Sequence, residues 1–170
     1  MNHIDRTLFI IKPDGVERNL VGRIIGLLED RGLKIIALKM VQADKKLAED
    51  HYSDLDVRLT RKGLAGATIK RQMVEFLTSG PVVAMVVEGV KAVEFVKRLS
   101  GSTYPNESDL GTIRGMFAHV TRLQANDSDR AVRNLVHASD PSEDPVREIN
   151  LWFKPEEMMD YKTVHQSNTW

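Results

Sequence analysis

The chain has 170 residues, and its 24 basic and 24 acidic side chains give it a net charge of zero. A chain of this length can bury about 70% of the surface that its unfolded form exposes. The balanced charge argues against a protein whose main task is to coat nucleic acid, because such affinity depends on many neutralised phosphates. The absence of cysteine excludes a disulfide scaffold, a thiolate metal site and thiol catalysis.

Residues 1–6 run directly into a strand-like segment and lack the apolar core of a signal peptide. No apolar run approaches the length needed to cross a bilayer. We therefore expect a cytoplasmic protein that has no membrane association.

The first third of the sequence predicts a strand, a helix and a second strand. Residues 7–11 form a continuous apolar run, which is typical of a strand buried on both faces. Apolar residues then recur with the spacing of one helical face, and Gly32 follows at the position of a helix cap. The residues of that face are Val21, Ile24, Ile25 and Leu28. Residues 33–41 are rich in branched apolar side chains and predict the second strand.

The middle of the chain predicts helices around a third strand. Asp44 is a helix-capping residue that precedes a short helix. A helical stripe lies within 62–77 and ends before the Gly-Pro pair at 80–81. Residues 82–87 give the strongest strand signal, and residues 92–99 have the apolar spacing of a following helix.

The last third is less regular. Residues 100–115 lack apolar periodicity and are rich in Ser, Gly, Asp and Pro, which predicts a long functional loop. Residues 119–124 predict a last strand at an edge of the sheet, and the carboxyl-terminal region predicts short helices packed over the core. Because there are no repeats or low-complexity linkers, residues 1–170 are expected to form one domain.

This order of elements predicts an α+β fold. It matches the split β-α-β pattern of a ferredoxin-like protein, with a four-stranded antiparallel sheet covered by helices. Residues 7–11 and 82–87 would be the central strands. Since many unrelated functions share this fold, the fold alone does not define an activity.

Phosphate binding would have to depend on side chains, because the sequence contains neither a P-loop nor a Gly-x-Gly-x-x-Gly motif. An ordinary solvated lysine at a strand end is the alternative for Lys12, and a plain turn explains the glycines around Arg114 equally well. The cations near predicted loops or element ends are Lys12, Arg58, Lys97, Arg98 and Arg114.

Histidine is a suitable phosphoryl acceptor, since its ring is often neutral near pH 7 and then has a nitrogen lone pair available. Only His137, in the segment 134–140, has neighbours able to orient the ring and contact a phosphate. Glu148 is a candidate acceptor for the proton on the second ring nitrogen, with an exposed helix glutamate as the alternative. The competing histidines are His3, His51, His119 and His165.

Four segments, taken in order, resemble the nucleoside diphosphate kinases: 12–16, 80–86, 111–115 and 134–140. The resemblance extends from Arg6 to Phe153. It implies transfer of the terminal phosphoryl group from a nucleoside triphosphate to a nucleoside diphosphate, by a ping-pong route through a phosphohistidine at His137. It also implies a ferredoxin-like core, a homo-oligomer (hexamer or tetramer) and nucleotide-bound Mg²⁺.

The resemblance further implies roles for individual residues. Ser139 and Glu148 would be partners of the catalytic ring of His137. Asp140 would touch the magnesium ion only through water, so no residue would be a direct metal ligand. The nucleotide-binding residues would be Lys12, Tyr52, Lys97, Thr103, Arg114 and Asn134.

Several positions depart from the family pattern. The stretch between Tyr52 and Gly80 is longer than usual and lacks the aromatic residue on which the base stacks; Ile69 and Met73 are the expected replacements. Lys97 stands where an arginine is expected, which loosens phosphate binding unless Arg98 compensates. The remaining departures are Met116, Pro141 and the extension 124–133.

Two alternatives to the kinase follow. An RNA-binding module of the same fold would have paired aromatic residues on its central strands. These strands contain only Phe9, which argues against nucleic acid as a partner. The departures leave open a family member of weak activity that acts mainly as an oligomeric scaffold or binding module. Turnover with GDP or dTDP would distinguish it from the kinase.

Overall fold

The computed structural model describes residues 3–141, 144–164 and 166. Its sheet has the strand order β2-β3-β1-β4, and all neighbouring strands are antiparallel. The strands are β1 (Ile4–Ile11), β2 (Lys34–Gln42), β3 (Pro81–Val90) and β4 (Val136–Ala138). The predicted ferredoxin-like α+β fold is confirmed, with β1 and β3 in the centre of the sheet.

Helices cover both faces of this sheet. The helices before β3 are α1 (Pro13–Glu17), α2 (Val21–Glu29), α3 (Lys45–His51), α4 (Leu55–Arg61) and α5 (Gly66–Thr78). Those after β3 are α6 (Ala92–Ser100), α7 (Ile113–Phe117), α8 (Arg122–Asp127) and α9 (Pro145–Trp152), with 3-10 turns at Pro105–Glu107 and Pro155–Glu157. In the described part of the chain, no helix is both long and apolar enough to cross a membrane.

The two central strands are apolar on both sides because each face of the sheet packs against helices. Successive side chains of a strand point to opposite faces, so Phe9 packs with Ile24 of α2 while Ile10 packs with Leu77 of α5. Burying such a side chain stabilises the fold by about 1.5–3 kcal/mol. The continuous apolar runs in the sequence therefore result from a sheet with two covered faces.

Two helix predictions are confirmed in detail. Leu28 of α2 is fully buried, and Gly32 follows with a left-handed φ of 72°. Asp44 caps α3, because its Oδ1 accepts a 2.7 Å hydrogen bond from the amide of Leu47.

The segment between α3 and β3 differs from the prediction of one helix within 62–77. It contains α4 as well as a shorter α5, and Gly63 turns the chain between them with a φ of 73°. A Cβ atom at Gly66 would lie 2.1 Å from the carbonyl oxygen of Asp56, so glycine is required where the two helices meet. The extra length of this stretch forms the additional helix.

The prediction of a last strand at 119–124 is wrong. Thr121 instead caps α8, with its Oγ1 accepting a 3.1 Å hydrogen bond from the amide of Gln124. Leu123 is 74% exposed, so the segment has no buried face that a sheet could cover. The last strand is β4, whose Val136 and Ala138 are buried against β1.

Candidate active site

His137 occupies the middle of β4, opposite Ile10 of β1. Its side chain is 16% exposed and lines a cleft of about 320 Å³. The antiparallel pairing places the end of β1, where Lys12 follows, beside the beginning of β4. Residues far apart in the sequence are thereby brought to one end of the cleft.

A strained turn precedes β4 and sets its position. Leu135 has a left-handed φ of 69°, which is unusual for a branched residue. Its carbonyl accepts a 2.8 Å hydrogen bond from the amide of Lys12, and its amide donates to Asp14 Oδ2 at 3.1 Å. A Cβ at Gly15 would lie 3.2 Å from that same carbonyl. The Lys-Pro-Asp-Gly turn therefore holds the backbone that carries His137.

Glu148 contacts the catalytic candidate directly, and Ser139 contacts Glu148. Glu148 Oε2 lies 3.0 Å from His137 Nε2 and accepts a 2.5 Å hydrogen bond from Ser139 Oγ. Glu148 is carried by α9 and is 1% exposed. The alternative of an exposed helix glutamate is therefore excluded.

Electrostatics keep Glu148 ionised. Burial alone raises the pKa of its carboxyl, but the electrostatic attraction and hydrogen bond of His137, the neighbouring ring of His51 and the hydroxyl of Ser139 together lower the pKa to about 2. A carboxylate at Nε2 holds the ring proton on that nitrogen. Nδ1 makes no hydrogen bond to any of the described residues and is therefore the nitrogen available for reaction.

His51 is a residue of the site that the sequence analysis named only as a competing histidine. Its ring is buried and lies edge-on to the ring of His137, with 4.4 Å between the centroids. Trp152 Nε1 donates a 3.3 Å hydrogen bond to its Nδ1, whereas its Nε2 has no partner among the residues described. Burial, followed by the charge of His137, lowers the pKa of His51 well below its ordinary value. His51 thus packs as a neutral ring behind His137.

Lys12 is buried and 3% exposed, so it is not an ordinary solvated lysine. Its Nζ donates a 2.9 Å hydrogen bond to Asn134 Oδ1. Burial lowers the pKa of Lys12 to about 7, helped by the nearby charge of Arg114 and opposed by Asp14. A buried amine with so few partners is suited to receive an anion that restores its charge.

Arg114 also lies at the cleft, but its guanidinium mainly fastens the surrounding backbone. Four of its five N–H donors bind carbonyl oxygens at 2.7–3.1 Å. Burial lowers the pKa of Arg114 to about 10, so the group remains charged at neutral pH. It joins the long loop to β4 and places a fixed positive charge beside the cleft. The oxygens belong to Gly101, Ser102, Asn134 and Val136.

The remaining predicted nucleotide-binding residues also line the cleft. Asn134 Nδ2 donates a 2.8 Å hydrogen bond to the carbonyl of Thr103, which fixes the loop opposite β4. Tyr52 is buried and packs against His51, with 4.6 Å between the ring centroids. Lys97 Nζ forms a 3.2 Å ion pair with Asp140 Oδ2. The structure therefore brings together all the residues predicted for the site.

Arg98 does not compensate for the lysine at position 97. It lines a separate cleft together with Arg31 and is not among the residues that line the catalytic one. Met116 and Pro141 are exposed and do not line the catalytic cleft either. Of the other histidines, His3 and His119 are exposed outside the cleft, and His165 lies outside the described residues.

The opposite end of the cleft is apolar. Ile69 and Met73 of α5, the expected replacements for the stacking aromatic residue, both line it. Other side chains of the cleft were not singled out from the sequence. Four of them lie in the extension 124–133, whose unusual length was a signal: Asn126, Arg130, Ala131 and Val132. The others are Leu55, Leu59, Leu64, Gln72, Tyr104 and Arg122.

The residues present fit a magnesium ion that is held by a nucleotide rather than by the protein. Mg²⁺ prefers oxygen ligands and retains much of its water, so one cleft carboxylate such as Asp140 is sufficient to contact its hydration shell. Among the described residues, the group close enough to bind an ion directly is His51, His137 and Glu148, and its two imidazoles suit Mg²⁺ poorly.

Comparison with known proteins gives a consistent result. The sequence model of the family described as nucleoside diphosphate kinase matches residues 5–158. A nucleoside diphosphate kinase of Pyrococcus furiosus is 44% identical over 161 residues, covering 95% of this chain and 90% of the relative.

Solved structures agree. A transition-state mimic of the nucleoside diphosphate kinase from Borrelia burgdorferi, with bound vanadate and ADP, has a TM-score of 0.93 at 35% identity and covers 99% of this chain and 98% of its own. A halophilic nucleoside diphosphate kinase from Halobacterium salinarum, in complex with CDP, has a TM-score of 0.78 at 35% identity, with 97% of both chains covered.

The fold, the family match and the relatives define a phosphotransferase that acts on nucleotides. The chain belongs to the nucleoside diphosphate kinase family.

Proposed function

We propose that this enzyme transfers the terminal phosphoryl group of a nucleoside triphosphate to a nucleoside diphosphate by a ping-pong mechanism through a phosphohistidine at His137. The observation that supports this most directly is the ring of His137, which is fixed through Nε2 by a buried carboxylate and leaves Nδ1 for reaction. The vanadate and ADP in the Borrelia relative are consistent with phosphoryl transfer at such a site.

In the first half-reaction, the lone pair of Nδ1 forms a bond to the γ-phosphorus. The bond from phosphorus to the β–γ bridging oxygen breaks, and its electron pair leaves with the nucleoside diphosphate. In the second half-reaction, a β-phosphate oxygen of another diphosphate attacks the same phosphorus, and the electron pair of the N–P bond returns to Nδ1. The two half-reactions use one site and restore the neutral ring.

The residues around the ring have complementary roles in this proposal. Glu148 stabilises the positive charge that develops on the ring, and Ser139 holds Glu148 in place. Lys12 and Arg114 provide positive charge beside the transferred group, while Asn134 and Thr103 fix the loop that contacts phosphates or ribose. Tyr52 supports the histidine region, and Lys97 binds phosphate when the nucleotide competes with Asp140.

The same proposal includes a nucleotide-bound Mg²⁺, which would neutralise phosphate charge when bound. We further propose that residues 1–170 act as one domain, assembled as a homo-oligomer in the cytoplasm. Family membership supports the kinase activity over a weakly active scaffold or binding module.

The direct test is intact-protein mass spectrometry after incubation with ATP and Mg²⁺. We expect a gain of one phosphoryl group that is acid-labile, alkali-stable and discharged by added GDP or dTDP. His137→Ala should abolish the gain, while His119→Ala, which alters an exposed ring outside the cleft, should leave it intact. Persistent phosphorylation of the His137→Ala protein would refute the assignment of the nucleophile, and the absence of GDP turnover would favour the scaffold.

A further inference from the structure

The apolar end of the cleft is closed by residues 122–133, which we call the bridging segment. It comprises α8 and the turn that leads to Asn134. Three of its polar side chains line the cleft: Arg122, Asn126 and Arg130. In the proposed function, the cations around His137 serve the phosphates, so these three side chains could contact another part of the nucleotide.

The bridging segment is attached to both walls of the cleft. On one wall, Asp129 Oδ1 accepts a 2.8 Å hydrogen bond from Gln72 Nε2 of α5, and its Oδ2 lies 3.5 Å from an Nη atom of Arg71. On the other wall, the guanidinium carbon of Arg122 lies 5.9 Å from the ring centroid of Tyr104 in the long loop. The segment therefore spans the opening between α5 and that loop.

This attachment determines where Arg130 lies. Arg130 directly follows Asp129, so the contact with Gln72 brings it beside α5, the helix that carries Ile69 and Met73. Its guanidinium makes no hydrogen bond or ion pair with any of the other described residues, although it lines the cleft. An uncommitted guanidinium next to the apolar wall is suited to contact the polar edge of a flat, apolar ring.

The chemistry of the guanidinium limits which base it recognises. Arginine has five donors and no acceptor, so it matches a base edge that presents acceptors. Guanine presents N7 and O6 side by side, which a guanidinium can bind with two hydrogen bonds. Adenine and cytosine present an amino group at the corresponding position, and that group is a donor.

We propose that Arg130, positioned by Asp129, binds the outer edge of the nucleobase and gives this enzyme a preference for guanine nucleotides. This inference rests on the proposed function, because it takes the phosphates to lie at His137 and the base to lie at the apolar end. A cleft that bound sugar and phosphates alone would distinguish little between bases. The bridging segment adds a base-reading side chain to it.

The test is calorimetric measurement of the dissociation constants of GDP and ADP, in the presence of Mg²⁺, for the whole protein. The unsubstituted protein should bind GDP roughly 10-fold more tightly than ADP. Arg130→Ala should bring the two dissociation constants close together by weakening the binding of GDP alone. Arg130→Lys keeps the charge but cannot form two parallel hydrogen bonds, so it should also lose the ratio.

Two further variants separate positioning from simple charge. Asp129→Ala removes an exposed contact that is weak by itself, so we expect it to reduce the ratio by only about 3-fold. Arg133→Ala removes the same charge from the same segment, but Arg133 pairs with Glu17 at 3.1 Å and does not line the catalytic cleft. It should leave the ratio unchanged.

A GDP-to-ADP ratio near one in the unsubstituted protein would overturn the inference. An equal loss of affinity for GDP and ADP in Arg130→Ala would also overturn it, because that result would indicate a general electrostatic effect. Selective GDP binding without phosphorylation of His137 would leave this inference intact and refute the proposed function. Phosphorylation of His137 together with equal binding of GDP and ADP would refute this inference and leave the proposed function intact. A protein that binds neither nucleotide would overturn both the inference and the proposed function.

Discussion

Glu148 Oε2 lies 3.0 Å from His137 Nε2, and the two residues belong to α9 and β4, which follow one another in the order of elements. The carboxylate is buried and the imidazole faces the cleft, so the pair connects the core to the reacting surface. In the proposed mechanism, this contact holds Nε2 in place and leaves Nδ1 to accept the phosphoryl group.

Glu148→Gln should lower kcat by roughly 100-fold and leave KM nearly unchanged. The amide keeps the shape of the side chain but loses the charge that stabilises the ring during transfer. KM is nearly unchanged because Glu148 is not one of the residues proposed to bind the phosphates. Steady-state kinetics with GDP, together with the rate of phosphoenzyme formation, provide the measurement. Glu156→Gln, an exposed change in the following turn, is the control and should leave kcat unchanged. If Glu148→Gln also left kcat unchanged, the proposed role of Glu148 would be contradicted.

Acid stability should also depend on Glu148. Because its pKa falls from 4.5 in the unfolded chain to about 2 in the folded one, the ionised carboxylate stabilises the fold above pH 4.5. That contribution is lost as the pH falls through 2. Chemical denaturation from pH 2 to pH 6 should show the stability difference between the unsubstituted protein and Glu148→Gln shrinking at the acid end. A difference independent of pH would be inconsistent with the depressed pKa.

Nucleotide binding should weaken as the pH rises above 7. Lys12 has a pKa of about 7 in the free protein, and only its protonated form attracts phosphates. The phosphates themselves lose their last proton near pH 6, so they do not cause this change. Calorimetry with ADP from pH 6 to pH 9 should show a rising dissociation constant, by up to about 10-fold per unit, with uptake of protons on binding.

Lys12→Arg is the matched variant for this prediction, since arginine stays charged over the whole range. Its dissociation constant should be nearly independent of pH, even if the fork of the larger side chain fits less well. A flat profile for the unsubstituted protein would show that Lys12 is charged throughout.

Ile69→Ala and Met73→Ala should each raise the dissociation constant for every nucleotide by roughly 3- to 10-fold, because each removes apolar surface of the wall that contacts the base. Ile69→Phe should strengthen binding, since it provides an aromatic face for stacking. Leu123→Ala is the control, because Leu123 is highly exposed and does not line the cleft. Unaltered binding in the Ile69→Ala, Met73→Ala double variant would place the base elsewhere.

Asp140→Asn should increase the Mg²⁺ concentration needed for half-maximal activity several-fold. The substitution removes the one carboxylate proposed to contact the hydration shell of the ion, and it also releases Lys97 from its ion pair. Activity titrated against Mg²⁺ at saturating nucleotide is the measurement, with Asp109→Asn as an exposed control outside the cleft. If excess Mg²⁺ does not restore activity, the loss comes from Lys97 instead.

Much of the site could be predicted from the sequence, because several of its parts depend on short stretches of neighbouring residues. The buried run 7–11 and the Lys-Pro-Asp-Gly turn predicted where β1 ends, and helical spacing located α2 and α6. The segment around His137 contained both the nucleophile and its neighbour Ser139. These features depend on periodicity and turn chemistry, which short stretches of sequence fix.

Other features were decided by the tertiary structure alone. The strand signal at 119–124 was overridden because no sheet edge covers that segment, and the short β4 forms only through its pairing with β1 and the strained turn at Leu135. The burial that lowers the pKa of Lys12 and the contacts that lower the pKa of Glu148 both depend on packing between distant elements. Local sequence specifies which elements can form, whereas desolvation and long-range pairing depend on which of them meet.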